Sequence, residues 1–305
     1  MRALRPAEEI VVIGAGIAGL TAASHAARLG RCVTVIEGAP VYGGQIATVG
    51  QVDGLSAPGE FSGQDLVTNL LGQCRSLGVS FVEAEVSALG ADEAIEVVCG
   101  DGRRYQPGAV IVASGARARS LDVPGEQELA GRGVSRCATC DGPFFRNQDV
   151  VVLGGGDSAV HEARVLARIC RNVTVVCRSS IRAQRHYVER LAGMEGVHFI
   201  WECEVDAILG SDGVDGVRLR NVKTGEHSEL KCSGFFPFIG TTPNSGFLPE
   251  RLLDANGYVE CDANQQSMIE RVFAAGAVRK GYGGDIAQAA GEGVSAAIAA
   301  HRCLQ

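Results

Sequence analysis

Twice in this chain a short apolar strand runs straight into a glycine-rich turn and then into a helix. Glu9-Ile-Val-Val-Ile13 leads into Gly14-Ala-Gly-Ile-Ala-Gly19, an alanine-rich helix to about Arg28, and the strand Val33-Thr-Val-Ile36. Asp149-Val-Val-Val-Leu153, Gly154-Gly-Gly-Asp-Ser-Ala159, a helix through about Ile169, and Val173-Thr-Val-Val176 repeat that plan. Parallel strands need a crossover, so each βαβ unit demands a parallel sheet and places the chain in the α/β class. Two such units in 305 residues exceed one ordinary hydrophobic core, and two domains follow.

Between the units the pattern predicts a helix from Gln64 to about Ser76, a hairpin around Gly100-Asp-Gly102, and a buried-type strand Ala109–Ala113 ending at Ser114-Gly115. Beyond them it predicts a hairpin, 217–222 and 226–230, turning at Lys223-Thr-Gly225. A strand Arg271–Ala275 enters Gly276, and an amphipathic helix Ile286–Arg302 closes the chain. The 41 glycines follow no collagen-like period, which implies tight turns and close backbone approaches.

Gly14, Gly16 and Gly19 have G-x-G-x-x-G spacing: a tight turn, room for a pyrophosphate, and close helix packing. The phosphate sits on unpaired N–H groups at the helix N-terminus. Glu37, at the end of the second strand, can accept hydrogen bonds from a ribose hydroxyl. The motif alone does not separate FAD from NAD, and a structural turn is the alternative. Gly43, Gly44 and Gln45 add a second glycine approach and a side-chain amide, or simply another loop.

The second loop, Gly154-x-Gly156-x-x-Ala159, ends in Ala, which still permits close packing. At the next strand end stands Cys177-Arg178-Ser-Ser-Ile-Arg182, without an acid for a 2′-hydroxyl and with Arg178 and Arg182 as the cations for a 2′-phosphate. A pseudo-repeat that has lost its nucleotide is the other reading.

Cys137-Ala-Thr-Cys140 is a C-x-x-C just ahead of the second unit. That spacing closes a small disulfide, and a short helical turn lowers one thiol's pKa. Half a zinc site is the alternative, but no second pair completes it, so no metal is expected. Asp141 is placed to move a proton, or to end a turn. The other cysteines, 32, 74, 99, 170, 177, 203, 232, 261 and 303, are expected as reduced core residues.

A net charge of −7 without a basic run argues against a nucleic-acid partner. No apolar stretch reaches the roughly 18 to 20 residues of a membrane span. The acids in Met1–Glu9 do not suit a secretory signal, and a cytoplasmic location is expected.

Taken in order, the first glycine loop, Gly43-Gly-Gln45, Cys137-Ala-Thr-Cys-Asp-Gly142, Phe144-Phe-Arg146, Gly154-Gly-Gly-Asp-Ser-Ala-Val160 with Glu162, Ile239-Gly240, Pro243-Asn244 and Phe273-Ala-Ala-Gly276 resemble the low-molecular-weight thioredoxin reductase family over almost the whole chain. The resemblance implies two Rossmann-like three-layer nucleotide-binding domains, the second inserted in the first. Residues 1–116 with 247–305 would bind FAD, and 117–246 would form the pyridine-nucleotide-type domain carrying the cysteines. It implies FAD contacts at Gly14, Gly16, Gly19, Glu37, Gly44, Gln45, Gly115 and Gly276. NADPH or NADH would meet Gly154, Gly156, Asp157, Ser158, Glu162, Arg178 and Arg182. Cys140 would face the flavin, Cys137 would attack the partner disulfide, and Asp141 would serve as acid/base, in a homodimer whose inserted domain rotates. Phe144, Phe145 and Arg146 fall where family members dock thioredoxin; a buried apolar pair is the plainer account.

Three departures from the family pattern stand out. Cys177-Arg178-Ser179 replaces His-Arg-Arg, Ala277 replaces an Asp, and Gly284-Asp285 replaces Arg-Gln. The expected function is a reductase passing electrons from NAD(P)H through FAD and the cysteine pair to thioredoxin, a thioredoxin-like protein or a small disulfide. One alternative is a relative driven by ferredoxin, or one oxidising small dithiols with oxygen. A non-catalytic flavin-binding sensor is another.

Overall fold

The computed structural model describes residues 9–50, 52, 61–90 and 94–305. The targeting reading of the N-terminus falls on residues outside these up to residue 8. The chain opens with β1 (Glu9–Ile13), α1 (Ile17–Arg28), β2 (Cys32–Glu37), α2 (Gly63–Ser76), β3 (Ser80–Glu83), β4 (Val86–Gly90), β5 (Glu96–Cys99), β6 (Arg104–Tyr105), β7 (Ala109–Val112) and β8 (Ala116–Ala118). Next come α3 (Ala138–Asp141), β9 (Asp149–Leu153), α4 (Asp157–Leu166), β10 (Asn172–Cys177), α5 (Arg185–Ala192), β11 (Val197–Trp201), β12 (Cys203–Leu209), β13 (Gly216–Asn221), β14 (His227–Lys231) and β15 (Gly234–Pro237). β16 (Thr241–Pro243), β17 (Val272–Ala274) and α6 (Ile286–Cys303) complete it.

Two compact units result, one from the chain up to Arg117 with Thr242–Gln305, the other Ala118–Thr241. The second division falls five residues before the expected 246/247. Asn244 explains the difference: its Nδ2 donates to the Ser114 carbonyl at 3.0 Å and its own carbonyl accepts from Ser114 Oγ at 2.7 Å, tying this segment to the first unit.

In the first unit β17-β7-β1-β2-β3 form one sheet, parallel throughout. Strand alternation divides its side chains between two faces. Ile10, Val12, Val33, Val35 and Ile111 pack with α1 and α6 residues such as Leu20, Ala22 and Ala297. Val11, Ile13, Ile36, Val110 and Val112 face the antiparallel β4-β5-β6 meander through Leu89, Val97 and Cys99.

The second unit repeats these three layers. Its parallel sheet is β11-β10-β9-β15. Val150, Val152, Val173 and Val175 pack with α4 and α5 side chains, while Val151, Leu153 and Val176 meet the β12-β13-β14 meander. Burying a Val side chain contributes roughly 1.5–3 kcal/mol, so the doubly covered strands read as continuous apolar runs.

Strands β3, β4, β11, β12 and β15 lie beyond those legible from pattern alone; β11 is an edge strand whose mixed side chains include the half-exposed Trp201. The cysteines also divide. Cys74, Cys99, Cys177, Cys203 and Cys232 are buried, Cys32, Cys170 and Cys261 partly so, and Cys303 is exposed rather than in the core. Cys303 sits in the last turn of α6, where the helix runs out of sheet to cover. Among the described residues no helix is long and apolar enough to cross a membrane.

Candidate active site

Cys137 and Cys140 form a disulfide with Cα atoms 5.3 Å apart. Cys137 is the N-cap of the four-residue helix α3, so its side chain occupies the position where unpaired helix donors converge. The Cys140 N–H donates to Cys137 Sγ at 3.1 Å. Asp141 N–H goes to the Cys137 carbonyl at 3.1 Å, and Cys137 N–H goes to Ser135 Oγ at 3.1 Å. Cys140 is exposed and Cys137 half-buried. An N–H in this position is the kind of donor that stabilises a thiolate.

Four of the other thiols have the opposite surroundings. Burial pushes Cys74 and Cys170 up to about 11 and Cys232 up to about 12. Cys177 is also raised by burial, and its Sγ points at the Gly154 carbonyl 3.3 Å away. Such thiols stay protonated and inert near neutrality.

Asp141 is half-buried at the end of α3. The next turn separates two phenylalanines: Phe145 is buried edge-on against Phe236 at 5.5 Å, whereas Phe144 is 77% exposed. The buried-pair account therefore holds for Phe145 alone.

In the first glycine loop, Gly14 has φ +104° and a Cβ at Gly19 would lie 1.9 Å from the Gly14 carbonyl oxygen, so both glycines are demanded by the fold itself. A Cβ at Gly16 would meet nothing nearer than the Gly43 carbonyl at 3.9 Å. Gly16 is also the N-cap of α1, with no side chain satisfying the helix donors. Glu37 braces the loop, accepting from Ala15 N–H at 2.7 Å and Ala39 N–H at 2.8 Å. A carboxylate has about four acceptor positions, which leaves two for hydroxyl groups. Glu37, Gly14, Ser114, Arg117 and Asn244 line a cleft of about 640 Å³.

Gly44 and Gly115 both adopt left-handed backbone, and Gln45 Nε2 donates to the Ala116 carbonyl at 2.6 Å. Gly276, at φ +75°, donates its N–H to Glu292 Oε2 at 2.8 Å. Glu292 is buried, paired with Arg279, and accepts from Gln288 Nε2 at 2.7 Å. A carboxylate thus adjoins this turn although residue 277 is Ala; a lone acid in the alanine- and glycine-rich α6 was the signal for it. Asp285 has a local role as N-cap of α6, accepting from Ala287 and Gln288 N–H.

At the second loop, Gly154 has φ +140° and a Cβ there would lie 2.2 Å from the Phe238 carbonyl oxygen, while Gly156 faces open space. The Gly155 carbonyl accepts from Arg182 and Ala183 N–H at 2.7 and 3.1 Å. Asp157 Oδ1 accepts from Gln184 N–H at 2.7 Å. The loop therefore holds the segment that carries Arg178 and Arg182, both exposed, as is Ser158. Glu162 turns elsewhere: its Oε2 accepts the Ala138 N–H at 2.7 Å, on the cysteine turn.

The family model for pyridine nucleotide-disulphide oxidoreductases matches residues 8–299. The chain is 39% identical to the thioredoxin reductase of Treponema pallidum over 96% of this chain and 95% of that one. It is 40% identical to the bifunctional thioredoxin reductase/thioredoxin of Mycobacterium leprae over 97% of this chain and 66% of that one. Among solved structures it is similar to the thioredoxin reductase of Lactococcus lactis, with a TM-score of 0.93 at 34% identity, covering 97% and 99% of the two chains. The chain belongs to the pyridine nucleotide-disulphide oxidoreductase family. Within it the chain is of the low-molecular-weight thioredoxin reductase type, a flavoprotein oxidoreductase with a disulfide of the redox-active kind at Cys137–Cys140.

Proposed function

We propose that the chain carries electrons from NADPH, through FAD held by the first unit, to Cys137–Cys140 and on to thioredoxin or a thioredoxin-like disulfide. The observation that carries this reading is the Cys140 N–H on Cys137 Sγ, which selects one sulfur as nucleophile. The first loop fits the flavin dinucleotide: open space over Gly16, uncapped helix donors, and Glu37 with acceptor capacity in hand. Gly44, Gln45, Gly115 and Gly276 would hold the remainder. At the second loop Gly154, Gly156, Asp157 and Ser158 would receive the pyridine nucleotide, and Arg178 and Arg182 with no neighbouring acid favour a 2′-phosphate. When bound, these two groups supply hydride and two-electron chemistry.

The chain's own residues carry the exchange. Reduction takes the disulfide to two thiols with two electrons and two protons. Cys137 passes its proton to Asp141, and its thiolate attacks one sulfur of the partner disulfide, forming a mixed disulfide and expelling a partner thiolate, to which Asp141 is placed to return that proton. Cys140, losing its proton, attacks Cys137 Sγ; the intramolecular disulfide re-forms and the partner leaves with both electrons. The Mycobacterium leprae relative, named for both activities in one chain, supports thioredoxin as partner. The resemblance extends the proposal to a cytoplasmic homodimer.

A second reading, with ferredoxin or a small dithiol in place of NADPH and thioredoxin, draws on Ser179, which stands where the family pattern has an Arg, and on Gly284-Asp285 in place of Arg-Gln. Anaerobic titration with NADPH and NADH decides between them. Bleaching of the visible flavin absorbance by NADPH, reversed by oxidised thioredoxin, is expected. A flavin that dithionite reduces but neither nucleotide does overturns the first reading.

A further inference from the structure

The cysteine turn distributes its N–H donors unevenly. Cys140 N–H goes to Cys137 Sγ at 3.1 Å. Ala138 N–H, the donor next to Cys137 in the chain, goes instead to Glu162 Oε2 at 2.7 Å. Glu162 reaches it from α4, which packs against α3, and its side chain is 21% exposed. A carboxylate here brings negative charge to the backbone beside that sulfur. Where the reduced pair is partly deprotonated, any group that destabilises the thiolate destabilises the reduced pair, and so makes it a stronger reductant.

We infer that Glu162 is a positioning residue that keeps the Cys137–Cys140 couple reducing. This rests on the reading of that pair as the exchanging disulfide. The couple concerned is disulfide plus two electrons and two protons giving dithiol, with the proton of Cys137 lost only where its thiolate forms. The other charged groups around Glu162 and the turn do not cancel its effect. His161 Nδ1 lies 3.6 Å from Glu162 Oε1 and is a cation only when protonated. Arg136 pairs with Glu126 at 2.9 Å. Asp141 adds charge of the same sign as Glu162.

The test uses the whole protein with its flavin, equilibrated in glutathione redox buffers, alkylated, and assayed by mass at the peptide carrying Cys137 and Cys140. Glu162→Gln keeps an oxygen acceptor for Ala138 N–H but removes the charge. At a buffer pH above the Cys137 midpoint it is expected to shift the equilibrium toward the reduced pair, approaching tenfold, ~30 mV for this two-electron couple, for each pH unit by which it lowers the midpoint for alkylation of Cys137. Glu162→Ala should shift both in the same direction. A glutamine variant with the wild-type equilibrium and alkylation midpoint overturns the inference and leaves Glu162 a structural strut. Glu162→Asp, which keeps the charge, is a second test and should stay closer to the wild type than Glu162→Gln in both readouts; an aspartate variant that shifts as far as the glutamine one refutes the role. If the wild-type pair exchanges with no thiol buffer at all, the functional reading itself fails.

Discussion

The backbone N–H of Cys140 lies 3.1 Å from the Sγ of Cys137, so the two cysteines of one short turn are chemically unequal. Cys137 is the half-buried sulfur that receives a helix-type donor and Cys140 the exposed one, which on the proposed function makes Cys137 the nucleophile and Cys140 the resolving thiol. Cys140→Ser is expected to trap a stable mixed disulfide between Cys137 and a single-cysteine thioredoxin activated with an aromatic thiol, seen as a mass increase under non-reducing conditions. Cys137→Ser should trap none; the reverse pattern would invert the roles.

Gly16 and Gly19 separate cofactor binding from folding. Gly19→Ala forces a methyl group against the Gly14 carbonyl at 1.9 Å, and overpacking of this kind costs about 1–3 kcal/mol. Gly16→Ala meets only open space, so the apoprotein's thermal unfolding should stay within about 0.5 kcal/mol of wild type. Its flavin content, measured by visible against ultraviolet absorbance, should nevertheless fall, because the methyl enters space a pyrophosphate needs.

Arg178 and Arg182 should govern nucleotide choice. Each alanine variant is expected to raise KM for NADPH about tenfold, the loss of one charged hydrogen bond. KM for NADH should change less than about twofold, since it has no 2′-phosphate to lose. Steady-state assays with both nucleotides measure the difference, and equal losses would exclude a 2′-phosphate site.

Phe144 and Phe145 should part company. Phe145→Ala opens a cavity against Phe236, with an expected cost of about 3–5 kcal/mol in denaturant unfolding. Phe144 is 77% exposed, so its alanine variant should unfold like wild type. That variant should raise KM for oxidised thioredoxin several-fold while a small disulfide reacts as before.

Asp149 introduces a pH dependence. Hydrogen bonds from Arg171, aided by one from Asn172, hold its carboxyl below the usual range. The folded state therefore binds this proton less tightly than the unfolded chain. The resulting stability is present above the unfolded value, about 3.9, and is lost as pH falls through the lowered folded value. Asp149→Asn should be the less stable protein at neutral pH in denaturant titrations, and the gap should close below about pH 4. A gap unchanged at low pH would show that the charge is not responsible.

Both glycine loops, the helices that follow them and the cysteine spacing were legible in the sequence. Each depends on residues within a turn or two of one another: a glycine tolerates φ near +104° at Gly14 by its own chemistry, and a C-x-x-C closes on itself wherever it lies. Tertiary packing decided the rest. The direction of α4 gives the Ala138 N–H to Glu162, 24 residues on, although spacing associates that acid with the second loop. The sheet face covered by α4 and α5 takes Phe145 inward and leaves Phe144 out. Ser114 draws Asn244 into the first unit, and α6 brings Glu292 to the Gly276 turn. A side chain's type is local, but its partner depends on which element packs against it. Hydrophobic packing of the sheets and helices makes that choice.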